Sequence, residues 1–336
     1  MKLTLETVDK ILENMTTISP ILVLGDVGID KYTYGEVSRI SPEAPVPVVE
    51  VQKEWKKLGL AANVTDNLQA LRVKSSLSGV VGEDNNAQLF FDMLENLNVS
   101  SLGMLKIPGR MTTFKERIIT SLQQICRVDY ETTKAITEDQ AQKIFSKIEN
   151  MITFHSGLLI EDYGKGMLTK ELTQKSIQLF RNAKKFVAVD PSRNTPAHFY
   201  KGASLLKPNL AEAKILCEQL GFHLTAEQPV EMAKILLDKL DLEMVVITLG
   251  SKGICLHDKK EHLNPSLIPT MAKEVFDVSG AGDTVISVLT SALIAGASLW
   301  DACYLSNIAA GIVVSKKGTA TTTALEMKKF YQTILS

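Results

Sequence analysis

The octapeptide Asp277-Val-Ser-Gly-Ala-Gly-Asp-Thr284 separates an irregular segment ending near Phe276 from a long apolar run that begins at Val285. Its small residues, Ser279, Gly280, Ala281 and Gly282, permit a tight backbone turn against a bulky ligand. The apolar run continues as a helix. The unpaired N–H groups of its first turn and the positive end of its dipole therefore converge on the turn and create an anion site. Asp283 stands at the mouth of that site. A carboxylate is a poor phosphate ligand but a well-placed base, so base and cradle together point to phosphoryl transfer rather than to phosphate binding alone.

Upstream, apolar runs repeatedly end in polar or glycine residues. Pro20-Ile-Leu-Val-Leu-Gly25 runs into Asp26 and Asp30, and Gly157 to Ile160 into Glu161-Asp162-Tyr-Gly-Lys165-Gly166. Phe186 to Val189 ends in Asp190-Pro191, Ser204 to Leu206 in Lys207-Pro-Asn209, and Met244 to Leu249 in Gly250-Ser-Lys-Gly253. A parallel sheet presents its functional edge in this way. Helical periodicity over residues 1–17, 86–97, 139–152, 170–180 and 210–220 supplies the covering layers. Val285 to Leu305, broken by Gly296 and interrupted by Asp301, reads as a buried core helix rather than a membrane span. The segment from Lys57 to Val64 starts a closely packed helix, and Asn63 offers donors and an acceptor to hydroxyls.

Two segments break the alternation. In the first, about 32–53, Val46, Val48, Val49 and Val51 are interleaved with Pro42, Pro45 and Pro47, as in an edge strand that tolerates proline. The second, about 112–130, alternates charged and apolar residues. Together they are expected to form a small sheet that closes over the site and excludes water. Arg117 and Arg127 then stand ready to grip an anionic substrate, although solvated charges on a half-exposed strand fit the same pattern.

Lys+Arg of 37 against Asp+Glu of 38 gives a net charge of -1 over 336 residues. No general attraction to nucleic acid or to anionic membrane follows. The four cysteines (126, 217, 255 and 303) lack metal-ligand spacing and read as reduced thiols of a cytoplasmic protein. The five histidines form no HExxH. The signature G-x-x-x-x-G-K-[ST] is absent, and Gly280-Ala-Gly282 has Val285 where a dinucleotide fingerprint needs its third glycine.

The assembled motifs resemble the ribokinase-like (PfkB) carbohydrate kinases over nearly the whole chain. Asp277 to Asp283 is similar to that family's D-[TV]-[TS]-G-A-G-D signature, Asn209-Leu210-Ala211-Glu212 to its N-x-x-E motif, and Gly25-Asp26 with Asp30 to its substrate-binding first strand. A narrower resemblance, to the D-glycero-D-manno-heptose-7-phosphate 1-kinases, rests on Gly35 to Pro47, Gln124 to Asp129, Asp162 to Gly166 and Gly318 to Ala320. The resemblance implies one ribokinase-like domain over residues 1–336. Its fold is a three-layer α/β/α with a mostly parallel central sheet and a small β-sheet lid inserted at about 32–53 and 112–130. It also implies a stand-alone kinase that uses ATP and Mg²⁺ to make activated heptose for lipopolysaccharide. Separately, the edge strands around Val46 to Val51 would be exposed in a monomer, so a homodimer joined through the lid strands is expected.

Residue by residue, the resemblance assigns Asp283 as the base and the backbone of Gly280, Ala281 and Gly282 as the phosphoryl cradle. Asn209, Leu210, Ala211 and Glu212 lie by the ATP phosphates, with Glu212 ordering Mg²⁺ through water. The same Asn209 and Glu212 read equally as N-cap and N3 of a helix. Thr248, Gly250 and Gly253 border the nucleotide and Asn307 the adenine. Asp26, Asp30, Gly59 and Asn63 meet sugar hydroxyls, while Arg117, Arg127 and Lys165 meet the sugar phosphate. The family usually carries Gly-Gly where this chain has Gly59-Leu60, so Leu60 is expected to narrow the sugar pocket or tilt its loop, with Gly28 supplying compensating room. A kinase for another sugar or a nucleoside, and a sugar- or nucleotide-binding regulator without turnover, are the alternatives. A pure binder has no need of Asp283.

Overall fold

The computed structural model describes residues 3–121, 123–260, 265–316, 318 and 320–335. In chain order the first half comprises α1 (Leu5–Thr17), β1 (Ile21–Gly25), β2 (Val27–Ile40), β3 (Pro47–Leu60), α2 (Ala61–Ala70), β4 (Ser75–Val81), α3 (Asn85–Asn96), β5 (Ser100–Lys106), β6 (Thr113–Ile119), β7 (Gln124–Tyr130), α4 (Glu138–Met151) and β8 (Gly157–Glu161). The second half comprises α5 (Lys170–Asn182), β9 (Phe186–Asp190), β10 (Leu205–Leu206), α6 (Leu210–Gln219), α7 (Pro229–Lys239), β11 (Met244–Thr248), β12 (Ile254–Asp258), β13 (Ser266–Ile268), α8 (Ala281–Ile294), α9 (Leu299–Val314) and α10 (Ala324–Leu335).

Every residue of β1 is buried, and a strand buried on both faces has to be covered by helices on both sides. It lies inside a sheet of order β13-β12-β11-β10-β9-β8-β1-β4-β5, parallel from β5 through β11 and antiparallel at β12 and β13. Alternate residues divide its two faces. Val23 and Leu159 pack with α1, α2, α3, α8, α9 and α10, while Leu22, Leu24, Leu158 and Ile160 pack with α4 to α7. The result is the expected three-layer α/β/α architecture.

The two segments that break the alternation form a second sheet of order β3-β2-β6-β7, with β2 parallel to β6 and antiparallel to β3. Its junction with the core fixes the site. Strand β2 begins directly after Asp26, β3 runs directly into α2, and the Ala61 amide donates to the Asp26 carbonyl (2.9 Å). Both ends of the long hairpin are thereby rooted at the carboxyl edge of the large sheet.

Three features depart from the sequence expectations. Residues 285–305 are two helices, α8 and α9, because Gly296 adopts φ +90° after the last turn of α8 and Ser298 caps α9. Strand β5 and helix α7 were not anticipated: β5 carries exposed Leu102 and Ser100-Ser101 on a sheet edge, and α7 starts at Pro229 without a side-chain cap. The polar stretch His257 to Lys273 reads in sequence as a hairpin and a connection; its residues 261–264, and Thr319, lie outside the described residues.

Candidate active site

A cleft of about 860 Å³ opens at the carboxyl ends of β8, β9, β10 and β11, between the second sheet and the first turn of α8. Ligands of open α/β sheets bind at this edge. Asp30, Asn63, Arg117, Arg127, Lys165, Asn209, Ala211, Glu212, Thr248, Gly250, Gly280, Gly282 and Asp283 all line it. Gly280 is in the left-handed region (φ +78°), and no side chain caps α8. The Asp277 carboxylate accepts from the Ser279 amide (2.8 Å) and the Phe276 amide donates to the Val314 carbonyl (2.7 Å), which fixes the entry to the turn.

Asp283 lies in the first turn of α8 and is 7% exposed. One carboxylate oxygen accepts from Asn63 Nδ2 (2.5 Å) and the other from the Tyr163 hydroxyl (2.9 Å). Helix α2 is itself locked to α8, since the Thr284 hydroxyl donates to Asn67 Oδ1 (2.6 Å). Burial raises the Asp283 carboxyl above its ordinary value, while its two donors oppose the rise. An oriented carboxylate with a raised pKa at a helix start can accept a proton from a hydroxyl delivered beside the turn. Tyr163 was not singled out from sequence, although the polar strand end containing it was.

The residues expected to border the nucleotide divide between this cleft and a more apolar pocket of about 280 Å³ that shares Thr248, Gly250, Val278 and Gly282 with it. Gly253, Ala281 and Asn307 line the second pocket. The Asn307 side chain, however, donates to the Pro269 carbonyl (2.7 Å) and accepts from the Met271 amide (3.3 Å), so it clamps the connection after β13 rather than offering its amide to a base. Asn209 and Glu212 form a full capping box on α6 and still line the cleft, so capping does not withdraw them from it. Leu210, half-buried, packs against the core and does not line the cleft.

Sequence reasoning missed a buried polar cluster at three adjacent strand ends. Glu161 and Asp190 are register partners at the tips of β8 and β9. Lys207, just past β10 and 2% exposed, pairs with Asp190 (2.7 Å). Burial lifts Asp190 to about 7, with the Lys207 ammonium opposing, and raises Glu161 well above the usual carboxylate range. Glu161 Oε2 is buried without a hydrogen-bond partner among the described residues. Each of the three follows an apolar run, and that was the available signal. Such hard oxygen donors suit Mg²⁺. Among the described residues no three acidic, His or Cys side chains converge as a cage.

On the other side of the cleft, Arg117 binds Asp30 (2.6 Å) and lies opposite Arg127, which binds Asp129 (2.8 Å). Lys165 reaches Glu131 (2.7 Å), and Lys115, not foreseen, bridges Glu131 and Asp129 (both 2.9 Å). The structure thus brings Lys115, Arg117, Arg127 and Lys165 to one end of the cleft.

Three sugar-side expectations need correction. Asp26 does not line the cleft: its carboxylate accepts from the backbone amides of Tyr163 (3.2 Å), Lys165 (2.9 Å) and Met167 (3.2 Å). It holds the loop that carries Tyr163 and Lys165, and burial raises its pKa to about 6. Gly59 makes room for Asp30, whose Oδ2 would lie 2.7 Å from an added Cβ. Gly28 admits β6, since an added Cβ would meet the Thr113 carbonyl at 2.8 Å, so it supplies no compensating room for sugar.

Leu60 lines the cleft beside Asn63 with φ +57° and ψ −140°. That conformation lies near the corner of backbone space reserved for glycine and costs about 1–3 kcal/mol. Leu60→Gly is therefore expected to leave the denaturant midpoint unchanged or higher, strain relief offsetting about 1 kcal/mol of chain entropy. It should also broaden the range of sugars accepted. A loss above about 2 kcal/mol, typical of an unstrained core leucine, or an unaltered sugar range, contradicts this reading.

No helix among the described residues is long and apolar enough to cross a membrane. The family profile described as pfkB family carbohydrate kinase matches residues 21–325. The chain is 44% identical over 309 residues to the bifunctional protein HldE of Desulfatibacillum aliphaticivorans, covering 92% of this chain and 62% of that protein. It is 42% identical over 311 residues to the HldE of Wolinella succinogenes, covering 92% and 64%. The chain thus spans less than two thirds of the length of these curated relatives. The fold is similar to that of Arabidopsis thaliana ribokinase complexed with ribose and ATP (TM-score 0.72, 19% identity, 94% of this chain and 99% of that one). It is likewise similar to Escherichia coli phosphofructokinase-2 in complex with substrates and products (TM-score 0.73, 18% identity, 95% and 100%). The Asp283 turn, the capping box over the cleft and the family match across residues 21–325 agree: the chain belongs to the pfkB family of carbohydrate kinases.

Proposed function

We propose that the chain transfers the γ-phosphoryl group of ATP to the anomeric hydroxyl of D-glycero-D-manno-heptose 7-phosphate. The product is the 1,7-bisphosphate, a precursor of ADP-heptose for the lipopolysaccharide core, made in the cytoplasm. The observation that carries this reading is Asp283, oriented by Asn63 and Tyr163 beside the uncapped start of α8. The substrate assignment rests on the HldE relatives and on the basic end of the cleft, where a second phosphate meets Lys115, Arg117, Arg127 and Lys165.

In this reading Asp283 takes the proton as the sugar oxygen attacks phosphorus, and the N–H groups of residues 280–282 stabilise the charge that develops. Glu212, and Asp190 or Glu161 beside it, would hold Mg²⁺ directly or through water, and a bound ion would supply neutralising charge for the phosphate oxygens. Positioning supplies much of the rest, because phosphoryl transfer needs little covalent help from protein. The second sheet covers the sugar and its phosphate. The far end of its β2–β3 hairpin exposes Val37, Ile40, Val46 and Val51, and a second copy of the chain covers them in a homodimer. A monomer by light scattering at working concentration refutes that part.

Mg·ATP consumption over a panel of sugars tests the assignment. Heptose 7-phosphate is expected to be phosphorylated far faster than fructose 6-phosphate, ribose or a nucleoside, and only with added Mg²⁺. A faster rate with another sugar moves the chain to a different substrate within the same family. No turnover with any of them favours a binding regulator.

A further inference from the structure

We propose that Lys207 is a further catalytic residue, whose ammonium turns part of its bonding from Asp190 to the phosphoryl group in flight above residues 280–282. The proposal rests on the phosphotransfer reading given above.

Lys207 Nζ lies 3.8 Å from the point a Cβ on Gly282 would occupy. It therefore reaches the anion cradle itself rather than the basic patch at the sugar end. The side chain is almost fully buried yet lines the cleft, and an ammonium is not withdrawn from water without compensation. Among the described residues its one ion-pair partner is Asp190. Three donors facing one carboxylate leave bonding capacity for a ligand.

The surrounding charge supports the same conclusion. Glu161, Asp190, Glu212 and Asp283 all line the cleft, and the field of the first three favours the protonated lysine against its burial. These acidic groups alone repel a polyphosphate. A fixed cation next to the turn is what lets an anion approach it.

During transfer the bond from the sugar oxygen to phosphorus forms and the bond from phosphorus to the β,γ-bridging oxygen breaks. The hydroxyl proton goes to Asp283 and the electron pair leaves on ADP. Lys207 stays protonated throughout. It exchanges part of its bond to Asp190 for bonds to the equatorial phosphoryl oxygens, where charge accumulates.

The test compares wild type with Lys207→Met and the charge-retaining Lys207→Arg. Turnover is measured together with calorimetric binding of Mg·ADP and of the β,γ-imido analogue of ATP. Lys207→Met is expected to lower turnover by about 10²- to 10³-fold, as loss of one transition-state donor does. It should weaken the imido analogue at least about tenfold, as loss of a charged hydrogen bond does, while ADP affinity stays near wild type. Lys207→Arg should fold as wild type and keep part of the preference for the imido analogue. Turnover of Lys207→Met within threefold of wild type, or equal weakening of both nucleotides, overturns the proposal and leaves Lys207 as the counter-ion of Asp190. If wild type itself turns over no sugar, the phosphotransfer reading fails; the preference for the imido analogue over ADP still decides whether Lys207 contacts the terminal phosphate.

Discussion

Asp283→Asn is expected to lower turnover about 10²- to 10⁴-fold, the usual contribution of a general base, with nucleotide affinity nearly unchanged. The substitution is isosteric, and the site can absorb it. One oxygen continues to accept from Tyr163, and the Asn63 amide, which now donates to Asp283 at 2.5 Å, turns over to accept from the new side-chain N–H. Folding stability is therefore maintained while the proton acceptor is lost. Turnover as a function of pH supplies an independent check. Burial raises the Asp283 carboxyl, so the acid limb should lie above the ordinary aspartate value, with activity lost as pH falls through it. Tyr163→Phe removes a donor that favours the anion, and the limb should move further up. An Asp283→Asn enzyme with wild-type turnover, or a Tyr163→Phe limb that moves down, contradicts the role.

Asp26→Ala is expected to cost roughly 3–5 kcal/mol of stability, since it leaves the buried amide of Met167 and the half-buried amides of Tyr163 and Lys165 without their acceptor, and a fully buried orphan costs about 1–3 kcal/mol. The same change should lower turnover about 10²-fold, as a misplacement near 1 Å does. The loop carries Tyr163, the partner of Asp283, and Lys165, which reaches Glu131. Arg110 braces the loop from the other side through the Lys165 carbonyl (2.7 Å) and does not replace the lost acceptor. Chemical denaturation followed by tryptophan fluorescence reads the first effect and steady-state turnover the second. A wild-type midpoint contradicts the account of Asp26 as the anchor of this loop.

The contrast between Asp26 and Asp283 shows what was legible in the sequence. Asp283 was readable because a local pattern, small residues before an apolar helix, states its own chemistry. The parallel sheet was readable for a similar reason: its strands are short, wholly apolar runs that stop at polar residues. Asp26 looked like a sugar ligand because its place at the end of β1 is where ligands bind. Its actual partners lie 137 to 141 residues away in sequence, and pairings that distant leave no local trace.

The same limit applies to Lys207, Asp190 and Glu161. Each was visible as a strand-end residue, but the parallel register that makes them neighbours belongs to the sheet. Leu60 runs the other way. The resemblance marked it as out of place, and its backbone angles give the physical content: the chain tolerates a strained leucine where glycine fits. The cationic end of the cleft was half legible, since Arg117 and Arg127 alternate on their strands, while Lys115 stood among similar charges with nothing to distinguish it.

Phosphorus NMR of the purified chain with Mg·ATP and D-glycero-D-manno-heptose 7-phosphate tests the central claim most directly. The account predicts that the γ-phosphate signal of ATP decays as a new sugar-phosphate signal grows, coupled to the anomeric proton, while the 7-phosphate signal persists. An ATP signal that decays only to inorganic phosphate, or a new phosphate coupled to any other sugar proton, contradicts it.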